Sequence, residues 1–292
     1  MTSKYIKSKN SKGSAPHKVR SLFARRLYGR RQGRALGKER QNALDTLLPK
    51  LGIPEDKLTH DHTCQPQDLF PAPLSSFWLE IGFGHGEHVT ALAQQNPDTG
   101  YIGAEPFING MAAFCKKLEE AGYCNTERHE ANQASNSEAA ICSPVPLGVQ
   151  NKTNRASETS DNLFVKDNIR VLMDDGVIIA RSLTPASLDG VYILNPDPWH
   201  KKRHHKRRII NQTNLDVFAN VLKPGGKLVM TSDVEDLAAW MCTHASNHPE
   251  FDWQAKSKAD WSIPPQDWFS TRYEQKGAKG TKKMVYLFFK RK

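Results

Sequence analysis

Phe77-Trp78-Leu79-Glu80-Ile81-Gly82-Phe83-Gly84-His85-Gly86 decides how this chain folds. The run from Phe77 to Ile81 is largely apolar, three alternate glycines follow it, and Glu87 to Gln95 continues with the apolar spacing of a helix. A buried strand, a tight turn and a helix in that order open an α/β unit. The glycines permit the turn and let a ligand approach the backbone closely. In open α/β sheets such turns lie at the carboxyl ends of strands, where ligands bind.

Working outward, strands are expected at Tyr101–Glu105, Ile169–Met173, Val191–Leu194, Lys227–Thr231 and Lys283–Lys290. Helices are expected at Arg40–Leu51, Asn109–Ala121, Arg208–Leu222 and Val234–Ser246, the third stopped by Pro224-Gly225-Gly226. Strands alternating with helices indicate a parallel α/β sheet. Pro49, Pro54, Pro66, Pro71 and Pro73 mark an irregular linker ahead of it. Residues 131–162 contain no aromatic side chain, and 14 of the 32 are Asn, Gln, Ser or Thr. That stretch is expected to be a disordered insertion of no assigned function.

The turn also selects a ligand. A dinucleotide fingerprint, G-x-G-x-x-G, started from Gly82 puts Glu87 at its third glycine, and started from Gly84 it puts Val89 there. Neither register works. The form present is acid-x-G-x-G-x-G, with Glu80 as the acid. It suits S-adenosylmethionine, whose ammonium and sulfonium a carboxylate attracts and which has no pyrophosphate. Glu105, at the end of the second strand, lies where an acid can accept hydrogen bonds from ribose hydroxyls. Asp175 follows the third strand and is placed to meet the adenine amino group.

The fourth strand ends in Asn195-Pro196-Asp197-Pro198-Trp199-His200-Lys201. Two prolines stiffen the loop around Asp197, which should face the turn of the neighbouring first strand. Six of the next eight residues, Lys201 to Arg208, are Lys or Arg. Read as a helix start, this run opposes the helix dipole unless an anionic substrate such as a phosphate backbone offsets it. His85, His88 and His200 lie nearby and read as turn, helix and loop residues rather than bases. Trp199 reads as packing under the Asp197 loop.

The chain has 292 residues, a formal charge of +10 and 38% hydrophobic residues, with a mean hydropathy of −0.61. The charge is concentrated: residues 1–40 hold 13 Lys/Arg and one acid, a balance of +12, and the remainder balances at −2. A basic arm before a near-neutral globule most often meets a polyanion, although a solubilising tail or a transit peptide has the same composition. No apolar run is long enough to cross a membrane. Five cysteines without a C-x-x-C pair argue against a disulfide scaffold or zinc ribbon and fit a reducing compartment. His60, His62 and Cys64 lack a second ligand pair, so no metal is expected. The expected organisation is a largely flexible arm at 1–40, a helix and Pro-rich linker at 41–76, and a catalytic domain at 77–292.

Taken together, Leu79-Glu80-Ile81-Gly82-Phe83-Gly84, Gly103-Ala104-Glu105 and Pro196-Asp197-Pro198-Trp199-His200-Lys201 with its basic run resemble the bacterial tRNA (guanine-N7-)-methyltransferases of the TrmB type. Thr231-Ser232-Asp233, Thr271-Arg272-Tyr273-Glu274 and the arm segment Tyr28-Gly29-Arg30-Arg31-Gln32-Gly33-Arg34 match as well. The resemblance spans residues 20–60 and 77–290, apart from the insertion. It implies a Rossmann-like methyltransferase fold, a mostly parallel seven-stranded sheet with helices on both faces. It also implies S-adenosylmethionine-dependent methylation of N7 of the variable-loop guanine (tRNA position 46). By residue matching, Glu80, Gly82, Gly84, Gly86, Glu105, Asp175 and Asp197 would contact the cofactor, with Asp197 the active-site residue. Lys201, Asp233, Thr271, Arg272, Tyr273 and Glu274 would contact tRNA. Apart from the resemblance, the chain is expected to be cytoplasmic and monomeric, with no obligatory protein partner evident in its sequence. The departures are the insertion, Asn195 where an aromatic or small residue is common, and the variants Arg272 and Tyr273. Two other readings remain. Asn195-Pro196 begins the Asn-Pro-Pro-aromatic motif of amino-group methyltransferases on nucleic acid or protein, but Asp197 interrupts it. A non-catalytic RNA-binding scaffold would keep the fold without binding the cofactor.

Overall fold

A computed structural model describes residues 27–59, 61–123, 167–271, 273–275 and 283–292. The insertion at 131–162, the arm up to residue 26, His60, Cys124, Cys142 and Arg272 lie outside the described residues. Chain order is α1 (Lys38–Leu51), β1 (Ser76–Ile81), α2 (Glu87–Gln95), β2 (Thr99–Ala104), α3 (Ile108–Glu120), β3 (Ile169–Leu172), α4 (Gly176–Ser182), β4 (Leu188–Leu194), α5 (Gln212–Val221), β5 (Leu222–Ser232), α6 (Glu235–Ser246), β6 (Phe251–Trp253), α7 (Ala259–Ser262) and β7 (Val285–Arg291).

The strands form one seven-stranded sheet in the order β3-β2-β1-β4-β5-β7-β6. β1, β2, β3, β4 and β5 run parallel, and β7 lies antiparallel to both of its neighbours. β1 pairs with β2 on one side and β4 on the other, so their carboxyl ends share one edge. The order reverses at β1, which is where open sheets leave a crevice. This is the Rossmann-like methyltransferase architecture that the motifs imply.

Strand alternation assigns the two faces. Leu79, Ile102, Ala104, Val191 and Ile193 pack with α4, α5 and α6 residues such as Ile179, Phe218 and Met241. On the opposite face Tyr101 and Val171 pack with Leu44 and Leu47 of α1, Val89 of α2 and Phe114 of α3. Burying a side chain the size of Phe114 contributes about 1.5–3 kcal/mol.

Three expectations need correction. The helix expected from Arg208 starts at Gln212, where the Asn211 side chain accepts the Asn214 N–H at 3.1 Å. Lys202–Arg207 instead forms a separate 3-10 turn. The basic run therefore does not load the start of α5, and an Asn cap replaces the charge clash. Pro224-Gly225-Gly226 does not precede β5 but lies inside it, where pairing with β4 jumps from Leu188↔Leu222 to Gly190↔Lys227. α1 begins inside the segment expected to be arm.

Gly86 sits at φ +73, and a Cβ there would fall 2.2 Å from the Phe114 ring. It lets α2 leave the turn directly over α3. Gly86→Ala should cost about 2–4 kcal/mol, from left-handed strain plus overpacking. A lower urea midpoint with an unchanged m-value would register it; unchanged stability would contradict it.

Candidate active site

The glycine turn leaves β1 through Gly82, at φ +78, and a Cβ on Gly82 or Gly84 would meet nothing within 4 Å. The wall at these positions is bare backbone beside open space. A buried carboxylate holds the turn. Glu105 Oε2 accepts the Gly84 N–H at 2.7 Å and Oε1 accepts the Phe107 N–H at 2.8 Å. Burial pushes the Glu105 carboxyl up to about 7; the two amide donors oppose that rise, and the charges of Asp197 and Glu80 add to it.

The Asp197 loop follows β4 on the neighbouring strand. It is bracketed by two non-glycine residues in the left-handed region, Asn195 at φ 48 and Trp199 at φ 45. Asn tolerates that region; a bulky Trp is held there only if the surroundings enforce it. Arg208 supplies the enforcement. It is 1% exposed, its Nε donates to Pro198 O at 2.9 Å, its Nη2 pairs with Asp236 and its guanidinium lies over Trp240. Arg208 is therefore not among the cations available to a substrate, contrary to its expected place in the basic run. Asp197 is exposed as a residue, yet loss of water around its carboxyl raises its pKa.

Two lobes of one crevice meet at this edge. A cavity of about 430 Å³ is lined by Gly82, Glu105, Asp175, Asn195 and Asp197, among others. A second of about 380 Å³ is lined by Glu80, Gly82, Gly84, Asn195, Thr271 and Tyr273, among others. Gly82 and Asn195 belong to both. Asn195 Oδ1 is buried at this seam without a hydrogen-bond partner, an acceptor that a ligand could satisfy. The volumes suit a small-molecule site. Bare backbone, acids on both lobes and an unpaired acceptor fit an elongated ligand with hydroxyl and cationic groups, as S-adenosylmethionine is.

Other expected residues divide. Asp175 reaches the first lobe but also caps α4, its Oδ1 accepting the Val177 N–H at 3.1 Å. Gly86 lines neither lobe and serves the packing described above. The Tyr273 hydroxyl donates to the Asp233 carboxylate at 3.2 Å, which joins two expected substrate residues at the rim of the second lobe. Glu274 is buried, and its Oε2 accepts from Trp268 Nε1 at 3.0 Å and Ser270 Oγ at 3.2 Å, so it organises this segment from beneath. Lys201 is exposed beside Asp197 on the outer side of the loop. Among the described residues no group of three or more His, Cys, Asp or Glu is placed to hold a metal ion, and no helix is long and apolar enough to cross a membrane.

Sequence reading missed the roof of the first lobe. Tyr28 and Gly29 line it, and a Cβ on Gly29 would come within 3.3 Å of Asp197 Oδ2. Arg31 Nη2 pairs with Asp174 Oδ1 at 2.9 Å, and Arg31 O accepts the Ile108 N–H at 3.0 Å. Arg207 lies over both Tyr28 and Trp199, with ring centroids 4.8 and 5.0 Å away. Trp199 thus packs against the arm as well as the loop. The resemblance marks Tyr28 to Arg34 as a matching segment but gives it no place at the site, and its composition signals only charge.

A family model described as "Putative methyltransferase" matches residues 75–138 and 147–287. A Rhodospirillum rubrum protein named tRNA (guanine-N(7)-)-methyltransferase is 35% identical over 267 residues, covering 91% of this chain and 88% of that protein. The Brucella melitensis protein of the same name is 36% identical over 269 residues, covering 91% and 94%. Its Rhizobium meliloti counterpart is 37% identical over 267 residues, with coverage of 91% and 94%. Identity at this level across nearly the full length of both partners places the chain: it belongs to the tRNA (guanine-N(7)-)-methyltransferase family.

Proposed function

We propose that this chain methylates N7 of the variable-loop guanine at tRNA position 46, with Asp197 at the reacting centre. The observation that carries the reading is that Asp197 lines one cavity with the glycine turn and Glu105. S-adenosylmethionine, when bound there, supplies a methyl group carried on a sulfonium. Glu105 and Asp175 would hold its adenosine in the first lobe, and Glu80 its amino-acid end in the second.

N7 of guanine has a free lone pair and no proton, so no side chain has to act as a general base. Alignment of N7 with the methyl carbon is the main requirement, and such positioning supplies on the order of 7–11 kcal/mol. Asp197, fixed between two prolines, can accept the N1–H and N2–H of guanine and stabilise positive charge as it builds on the purine. Adenine lacks that donor pair and would leave the carboxylate unsatisfied. The base must leave its stack to reach the site. Lys201, Lys202, Arg203 and Lys206 are exposed beside the loop, where they are available to the tRNA backbone.

The direct assay is methyl transfer to tRNA lacking this modification, followed by nucleoside analysis. 7-Methylguanosine is expected; a methylated amino group would favour the amino-group reading, and failure to bind S-adenosylmethionine in calorimetry would favour a scaffold. Asp197→Ala should lose about 10²–10³ in kcat while retaining cofactor binding; a rate near wild type would remove Asp197 from its role. Lys202→Glu with Lys206→Glu should weaken tRNA binding and reduce its salt slope by about 0.7–0.9 per lost phosphate contact; an unchanged slope would place the tRNA elsewhere.

Glu105 gives a pH signature. Its folded pKa, about 7, lies above the ordinary 4.5, so the folded apo chain holds a proton that the unfolded chain has released. Stability from this group is full below the ordinary value and is lost as pH rises through 7. Ribose hydroxyls favour the carboxylate, so affinity for 5′-methylthioadenosine should rise between pH 6 and 8. Glu105→Gln should flatten that rise, and a rise of equal size in the variant would assign it to another group.

A further inference from the structure

Glu80 and His88 form a buried polar pair, and the proposed function gives His88 no role. Glu80 is 5% exposed and His88 is 2% exposed. Glu80 stands near the end of β1 and His88 one residue into α2, so the glycine turn joins the two elements that carry them. His88 Nδ1 lies 2.9 Å from Glu80 Oε2. A carboxylate oxygen accepts, so Nδ1 carries the proton in this pair.

The two side chains face different spaces. Glu80 lines the second lobe of the crevice, with the glycine turn and Thr271. His88 lines neither lobe. It faces a separate aromatic cavity on the same face of the sheet, with Trp78, Tyr192 and Trp268. Its ring stands edge-on to Tyr192 at 4.7 Å and tilted to Trp268 at 5.6 Å between centroids. Trp268 is fixed in turn by its bond to Glu274. The imidazole is therefore clamped by aromatic rings and aims its donor at Glu80 from behind. A buried carboxylate without such a donor would swing toward other partners or toward water.

We propose that His88 is a positioning residue that fixes the Glu80 carboxylate for the ammonium of the methyl donor's amino-acid end. The proposal rests on the reading that the second lobe receives that end. His88 itself does not touch the ligand. A histidine that served only core packing would act on both lobes alike, because α2 supports the whole turn. A histidine that acts through Glu80 affects only a ligand that carries the ammonium.

Calorimetry on the full chain with two probes separates these roles. S-Adenosylhomocysteine carries the amino-acid end, and 5′-methylthioadenosine lacks it. His88→Leu should weaken S-adenosylhomocysteine binding about tenfold, the scale of a lost charge-assisted hydrogen bond, and leave 5′-methylthioadenosine within about twofold. His88→Asn, whose amide nitrogen can replace Nδ1 as donor, should recover most of the loss. In a Glu80→Gln background His88→Leu should add no further selective loss. Should the Leu variant fail to fold, His88→Gln, which keeps a donor but moves it, takes its place with the same expected selectivity. Equal weakening of both probes, or no weakening of either, while Glu80→Gln alone stays selective, would overturn the positioning role. A Glu80→Gln variant that does not discriminate between the probes would instead overturn the assignment of the second lobe, and the proposal with it.

Discussion

One buried carboxylate ties the site together. Glu105 leaves β2 and accepts amide donors from Gly84, in the turn after β1, and from Phe107, at the entry to α3. Without it the Gly84 amide would be unsatisfied, and the turn after β1 would keep its backbone tie to β2 through Gly82 N–H and Ala104 O but lose its tie to the entry of α3. With it the turn, the second strand end and the third helix share one geometry. The cost is a group held near neutrality at its titration point, which is tolerable where a ligand hydroxyl completes the shell.

The Asp197 loop is the second fixed edge, and its fixation comes from an unexpected quarter. Pro196 and Pro198 limit the backbone, but Trp199 sits in a region that its side chain disfavours. Arg208, fully buried, holds the loop by the Pro198 carbonyl and is anchored on α6 through Asp236. Part of a run that looks like one basic surface is thus internal scaffolding. The arm adds a third edge, since Tyr28, Arg207 and Trp199 stack beside Asp197 and Arg31 pins the segment to the domain.

Much of this was legible in the chain itself. Short apolar runs located β1 to β5, because buried parallel strands are short, continuous and apolar. The acids Glu80, Glu105 and Asp197 could be placed because each ends a strand on the same edge of the sheet. What escaped was what depends on distant partners. α4 is seven residues long and too short for its periodicity to stand out. Gly86 looked like a ligand contact because a glycine needed for Phe114 reads the same as one needed for a cofactor. Arg208 and Glu274 read as substrate contacts because burial with a partner is invisible to composition. The roof formed by Tyr28 and Gly29 and the Glu80–His88 pair are tertiary contacts without a local signature.

The proposed reaction requires Asp197 and the glycine turn to face one another across the methyl donor. A crystal structure of the full chain with S-adenosylhomocysteine tests it most directly. The ligand should lie along both lobes, its ribose on Glu105, its sulfur beside the Asp197 loop and its amino group at Glu80. A ligand bound elsewhere, or an Asp197 side chain turned away to bulk water with the donor in place, would contradict it.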